Sequence, residues 1–158
     1  MAQRTVQEQI GLSRPFRSRS EEALLTLLKT ADCVSYAIEQ ILAPEGITHT
    51  QYNALRILKG AGPDGHPVGE VGRRLLNRVP DVTRLLDRLE KNGLCRRFRS
   101  PTDRRVVRVM ITEEGVALAE RLAKPIQEAE ETIMGPLGDR RLADLCRLLN
   151  GVRENLPD

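Results

Sequence analysis

The side chains best equipped for recognition in this chain are guanidinium groups, and they are clustered. Between Arg73 and Arg108 stand 12 basic residues, 11 of them arginine and the other Lys91, against four acids, Asp81, Asp87, Glu90 and Asp103. That window carries +8, whereas the rest of the chain holds 13 bases and 18 acids, a net of −5. A guanidinium offers a planar fork of donors that grips a phosphate, or the O6/N7 edge of a guanine, with two bonds at once. A cationic middle inside an acidic frame is the electrostatic footprint of a polyanion partner.

Two groups of residues carry this charge. A helical pattern over Pro80–Asn92 buries Val82, Leu85, Leu86 and Leu89 and turns Asp81, Thr83, Arg84, Asp87 and Arg88 outward, with Asn77 and Arg78 just before it. The major groove of duplex DNA, about 12 Å wide, accepts one such helix, and its first turns reach the base edges. Asn77, Arg78, Pro80, Asp81, Thr83, Arg84 and Arg88 are therefore the candidate DNA contacts there. Asp81 is the awkward member, since phosphates repel an acid unless it accepts from a cytosine amino group or orients an arginine. Asp87 is expected to pair with an arginine inside the protein. The second group is Arg96, Arg97, Arg99, Arg104, Arg105 and Arg108 on a hairpin, where alternate residues point to opposite faces. Arg104 and Arg105, at the tip, are the expected contacts, suited to a narrow minor groove. Phe98 is the one aromatic nearby, too few for a single-strand stacking platform.

Other chemistries lack their residues. His49 and His66 have no matching carboxylate pattern, and there is no glycine-rich phosphate loop and no metal-ligand spacing, so neither catalysis, a metal nor a cofactor is expected. Cys33, Cys95 and Cys146 form neither a disulfide framework nor a ligand cluster. They are expected to be buried and inert, although Arg96 and Arg97 beside Cys95 would favour a thiolate if they approached it. No apolar run reaches the ~18 residues a membrane span needs, and Met1–Ser20 lacks a signal-type apolar core. A cytoplasmic protein with no membrane partner is the expectation.

The elements that must position these residues follow from periodicity and caps. Residues 1–19 read as a flexible arm. Ser18-Arg19-Ser20-Glu21 has capping-box spacing and opens a helix with Leu24, Leu27, Leu28, Ala31, Val34, Ile38, Ile41 and Leu42 on one stripe, stopped by Pro44 and Gly46. Thr48-His49-Thr50-Gln51 is a second capping box, opening a helix that ends at Gly60, followed by a turn at Gly62–Gly65. Val68–Leu76 reads as a short helix in which Gly69 and Gly72 either soften the structure or admit a close neighbour. Pro80 suits the first turn of the next helix. Cys95–Arg99 and Val106–Ile111 are strands around a turn at Ser100–Asp103. Thr112 caps a helix towards Met134, kinked at Pro125, and Asp139–Arg153 is a last amphipathic helix with Leu142, Leu145, Cys146, Leu148 and Leu149 inward. The first and last helices carry more apolar stripe than a small core covers, and a second copy of the chain is the economical cover. The fold class is thus mainly α with a small β-hairpin wing. A winged helix-turn-helix lobe over 47–111 is flanked by dimerisation helices over 20–46 and 112–158.

Asp103-Arg104-Arg105, the strand after it, and Ile111-Thr112-Glu113-Glu114-Gly115 resemble the MarR family of bacterial transcription regulators. That family's wing runs Asp-x-Arg, a short strand, then Leu-Thr-x-x-Gly, with Ile111 here in place of Leu. The resemblance spans roughly Glu21 to Leu156. It implies a homodimer that binds a pseudo-palindromic duplex operator, typically a repressor relieved by a small phenolic or aromatic-acid ligand. It also implies that Asp103 organises the wing by pairing with an arginine. The ligand cleft implied by the family would draw on Tyr36, His49, Tyr52 and Arg56, although His49 also reads as a surface capping residue and Tyr52 as core. A non-specific architectural DNA binder and a winged-helix protein-interaction module are the alternatives, and the +8 window speaks against the second.

Overall fold

A computed structural model describes residues 4–157; Met1–Gln3 of the expected arm and Asp158 lie outside it. The order of elements is α1 (Val6–Gln9), α2 (Arg19–Leu42), α3 (His49–Lys59), β1 (His66–Pro67), α4 (Val68–Arg74), α5 (Val82–Lys91), β2 (Cys95–Arg99), β3 (Val107–Ile111), α6 (Glu113–Met134) and α7 (Gly138–Glu154), with single 3-10 turns after α2 and before α7.

Two capping boxes anticipated from sequence differ in outcome. At Thr48 both halves form: its hydroxyl accepts from the Gln51 amide (3.3 Å) and Gln51 Oε1 accepts from the Thr48 amide (2.8 Å). At Ser18 only the hydroxyl half forms, with the Glu21 amide (3.1 Å). The Glu21 carboxylate instead takes the Arg17 amide and the guanidinium groups of Arg14 (2.8 Å) and Arg17 (3.0 Å). These contacts hold its acid well below the ordinary carboxylate range, at about 2, with Arg14 the largest cause. They also correct the expected flexible arm: the segment before α2 is tied down, and α1 is one capped turn packed against α2.

The core lies in the middle of the chain. Leu55, Leu58, Val71, Leu86, Leu89 and Val109 are fully buried, joined by the end of α2 (Ile38, Leu42) and the first half of α6 (Leu118, Leu122, Ile126). The question left open at Gly72 is answered by α5. A Cβ at Gly72 would sit 2.9 Å from Val82 Cγ2, so this glycine admits α5 against α4, whereas a Cβ at Gly69 meets nothing within 4 Å. Gly115 is the tighter case. Its Cβ would fall 2.1 Å from the Leu94 carbonyl oxygen, which explains the glycine that closes the wing pattern: α6 starts hard against the chain entering β2.

The wing has three strands, in the order β1-β3-β2, all antiparallel, with Arg97 opposite Val109 and His66 on the other side of Val109. The sequence reading missed β1, since two residues, one a proline, show no alternation. Arg108 ties it in: Nε donates to the Asp64 carbonyl (2.7 Å) and Nη2 to that of Gly65 (2.9 Å). Thr112 caps α6 as expected, accepting from the Gly115 amide at 3.1 Å. The helix runs on through Pro125, an exposed position where water can take the carbonyl that proline leaves free.

One expectation fails within a single protomer. No residue of α7 is buried; Leu142, Leu145 and Leu149 are half-covered, while Cys146 and Leu148, expected inward, are exposed. The N-terminal half of α2 likewise leaves Leu24 and Leu28 more than half exposed. No helix among the described residues is long and apolar enough to cross a membrane.

Candidate nucleic-acid interface

The helix expected over Pro80–Asn92 begins two residues later. Asp81 is its N-cap, with non-helical backbone, and its Oδ1 accepts the Arg84 amide at 2.9 Å. This corrects two readings. Pro80 precedes the cap instead of occupying the first helical position, and the awkward Asp81 has a structural task. A short carboxylate satisfies one of the four amides a helix start leaves unpaired, and it sits against the positive end of the helix dipole.

Along α5, Leu86 and Leu89 are fully buried and Thr83, Arg84, Asp87 and Arg88 face solvent. Asn77, Arg78, Pro80, Asp81, Arg84 and Arg88 line one open groove of about 570 Å³. The opposite wall of the groove comes from Thr48 and Thr50 at the start of α3, two hydroxyls that sequence reasoning had assigned only to capping. Nothing local marks them, because their place in the groove depends on how α3 crosses α5. Thr83 lies outside the groove lining, and its carbonyl is engaged from the wing.

That engagement comes from Arg97. Its guanidinium bonds the Asp87 carboxylate and, through Nη2, the Thr83 carbonyl (2.9 Å), and its amide donates to Glu90 Oε1 (2.7 Å). One residue of β2 thus holds Thr83, Asp87 and Glu90 along α5, in the pairing expected for Asp87. The remaining wing arginines divide by what they touch. Arg108 is committed to Asp64 and Gly65, and Arg99 donates to the Arg104 carbonyl at 2.7 Å. Arg96 and Arg104 make no side-chain bond among the described residues and are exposed. Arg105 is 92% exposed, and its amide and Nε both donate to Asp103 Oδ1 (3.0 and 3.2 Å). The Arg105 amide, then its guanidinium, hold Asp103 below its ordinary value. The acid and the arginine of the wing pattern therefore pair with each other across the tip, leaving most of the guanidinium open to solvent.

The four residues expected at a ligand cleft differ in how far they are exposed. Tyr52 is 4% exposed and belongs to the core, where burial pushes its phenol up. Tyr36 is 67% exposed on α2 and Arg56 is exposed on α3. The His49 amide, inside its capping turn, donates to Glu39 Oε1 at 3.0 Å. The expectation for the cysteines holds only for Cys95. It is buried, and burial raises its thiol to about 11, Glu90 adding to the rise and Arg97 only partly opposing it. Desolvation outweighs the neighbouring charge because Arg97 is turned onto α5. Cys33 and Cys146 are exposed, contrary to expectation, since the faces that bear them are uncovered in the protomer. Among the described residues no group of three or more His, Cys, Asp or Glu side chains could hold a metal ion.

Known proteins share this arrangement. The sequence profile of the MarR family matches residues 47–107, from the approach to α3 to the first residue of β3. The Bacillus subtilis HTH-type transcriptional regulator YhbI is 36% identical over 114 residues, 67% of this chain and 72% of that protein. The homoprotocatechuate degradative operon repressor of Escherichia coli is 26% identical over 141 residues, 84% of this chain and 93% of that protein. The crystal structure of a MarR transcription factor from Planctomyces limnophilus superposes with a TM-score of 0.66 at 36% identity, over 86% of this chain and 98% of that one. With a capped helix set beside a three-stranded wing, and relatives that match over two thirds or more of their length, the chain belongs to the MarR family of DNA-binding transcriptional regulators, which are not enzymes.

Proposed function

We propose that the protein is a homodimeric, sequence-specific repressor that reads a pseudo-palindromic duplex operator. The observation that carries this reading is the position of the cations. Arg78, Arg84 and Arg88 share one open groove along α5, Arg96 and Arg104 are exposed on the wing beside it, and Arg105, paired with Asp103, is exposed there too. Arg84, in the first turn, is placed to bond a guanine edge through two donors, and Thr83 and Asn77 to reach neighbouring bases or phosphates. Arg104 and Arg105 would enter the adjacent minor groove or hold the backbone, and Asp103 would set the angle of the tip.

The dimer is supported by the helices that find no partner at home. Leu145 and Leu149 of α7 and Leu24 and Leu28 of α2 form apolar surface that a second copy would cover, making residues 20–46 and 112–158 the dimerisation unit and 47–111 the reading lobe. A two-fold pair presents two recognition helices about 34–36 Å apart, one turn of duplex. Relief by a small aromatic acid is the proposed regulation, in line with the E. coli relative, a repressor of a homoprotocatechuate degradative operon. Tyr36, His49 and Arg56 are the residues assigned to that ligand, in a cleft completed by the second protomer.

The test is fluorescence-anisotropy binding of the full chain to the DNA upstream of its own gene and to a scrambled duplex, across a salt series. A preference of about 10³-fold or more, at two protomers per site, is the expected outcome. Equal and steeply salt-dependent binding to both would make it an architectural binder. Absence of binding at low salt would leave a protein-interaction module. Arg84→Ala is expected to relax preference at one position per half-site, and Arg105→Ala to weaken binding to all sequences and flatten the salt slope.

A further inference from the structure

The reading lobe leaves one large apolar side chain in the open. Leu76, between α4 and α5, is 73% exposed, the highest value among the exposed large hydrophobics. A single exposed leucine is ordinary on a protein surface; this one is set apart by the way it is held. Leu75 has extended backbone, with ψ of 141°, so its side chain and the next leave the chain on opposite sides. Leu75 packs against the core, and Leu76 is thereby turned outward. The Leu76 amide donates to Asn53 Oδ1 at 3.2 Å, fastening the turn to α3. With His49, Thr50, Asn53 and Asn77, Leu76 lines a shallow depression. Thr50 and Asn77 also line the groove that holds Arg78, Arg84 and Arg88, so Leu76 stands on the rim of that groove.

We propose that Leu76 is a specificity-determining residue that reads a thymine through its 5-methyl group, once in each half-site. This assignment rests on the operator-binding reading above. From Asn77 to Arg88 every fully exposed side chain except Pro80 is polar or charged. Guanidinium and carboxylate groups gain nothing from a methyl, whereas the thymine methyl is a feature of the major-groove edge that an apolar side chain rewards. Arg78, Arg84 and Arg88 in the adjoining groove would bring the duplex to the rim on which Leu76 stands. The apolar surface left for a second copy of the chain lies elsewhere, on α2 at Leu24 and Leu28 and on α7 at Leu148 and Val152. Covering one methyl group is worth about fourfold in affinity, and two symmetric methyls about 15-fold.

The experiment uses the full-length protein and a duplex that it enriches from a random-sequence pool. Thymines in that duplex are replaced by deoxyuridine, one symmetric pair at a time, which removes the methyl and keeps every hydrogen-bonding group. The expected result is one pair whose replacement weakens wild-type binding about 15-fold. Leu76→Ala should bind the thymine duplex about as weakly and no longer respond to that replacement, while Leu76→Met, which retains apolar bulk, should still respond. Insensitivity of the wild type to every replacement, or full sensitivity persisting in Leu76→Ala, would overturn the assignment while leaving operator binding intact. Loss of the dimer in Leu76→Ala, measured by sedimentation, would overturn it too and give the residue to the subunit interface. Failure to enrich any duplex would sink the operator reading itself.

Discussion

The segment from α3 to β3 and the pair of α2 with α7 are both rich in leucine, yet they dispose of it in opposite ways. In the first, Leu55, Leu58, Leu86 and Leu89 vanish completely into one core. In the second, α7 buries nothing, and Leu24, Leu28 and Leu148 remain more than half exposed. Those leucines of the α3–β3 segment are covered within the protomer, whereas those of the N-terminal half of α2 and of α7 are left largely uncovered. In the proposed dimer this separates two properties that a point mutation can address independently: the shape of the reading lobe and the spacing between two of them. At the surface α6 is tied to α3 by Lys59 with Glu120 (2.9 Å) and to the turn after α2 by Arg121 with Glu45 (2.7 Å), but exposed pairs of this kind contribute little to stability.

The largest expected effect breaks the comparison at its dependent half. Leu145→Glu with Leu149→Glu puts two charges on the stripe of α7. Sedimentation should show a monomer, and affinity for an enriched duplex should fall by more than about 100-fold, because two tethered half-sites become two independent ones. A dimer that survives both substitutions would show that α7 does not face a second copy. Next comes the closed half. Leu86→Ala should cost about 2–5 kcal/mol, read from denaturant unfolding, since a fully buried leucine leaves a cavity; its dimerisation should be unchanged once the protein is folded.

A smaller effect sharpens the internal organisation of the lobe. Arg97→Ala removes the grip of the wing on Thr83, Asp87 and Glu90, at roughly 1–2 kcal/mol of stability for charge-assisted bonds on a partly exposed site. The ratio of specific to scrambled binding should fall by more than the scrambled affinity does, because the wing and α5 then dock as separate pieces. Equal losses on both duplexes would mean that Arg97 acts only as positive charge.

The smallest effect concerns the segment before α2. The Glu21 acid is depressed to about 2 by Arg14 and Arg17. A depressed acid stabilises above its ordinary range, here 4.5, and that contribution disappears as pH falls through the folded value. Amides of α1 should therefore exchange faster as pH drops from about 4.5 towards 2, once exchange is corrected for its intrinsic pH dependence, and Glu21→Gln should show fast exchange throughout.

Much of this protein is legible along the chain because the deciding interactions are short. The Thr48 box, the Thr112 cap, the Leu86–Leu89 stripe and the strand alternation around Val109 each join residues a few positions apart, so spacing alone reveals them. Asp87 pairing with an arginine of the wing was legible too, because burying one face of α5 leaves Asp87 beside β2. The misreadings have a different origin. The cap bond of Asp81 was missed because it forms only if the helix begins at Val82 instead of Pro80. Glu21 left its capping box because Arg14 and Arg17 offered charge that the backbone amide could not match. Cys33 and Cys146 were expected inside because they sit on apolar stripes, and spacing does not reveal that those faces stay uncovered in the protomer.

What the sequence determined by itself is the class of the molecule: a segregated +8 window, a helix with one charged face, a hairpin with a basic tip, and leucine stripes longer than one small core can cover. Periodicity and charge are local properties, and they survive without knowledge of where the chain goes next. What only the tertiary structure decided is which of those cations are free. Arg97, Arg99 and Arg108 are engaged by carbonyls and carboxylates of the protein, while Arg84, Arg88, Arg96 and Arg104 are left to solvent. The meeting of Thr48, Thr50 and Leu76 at the groove of α5 was decided there as well. Those outcomes depend on how α3, α4 and β2 cross α5, and a crossing is set by the shapes of buried surfaces brought together from separate elements, which no spacing within a single element records.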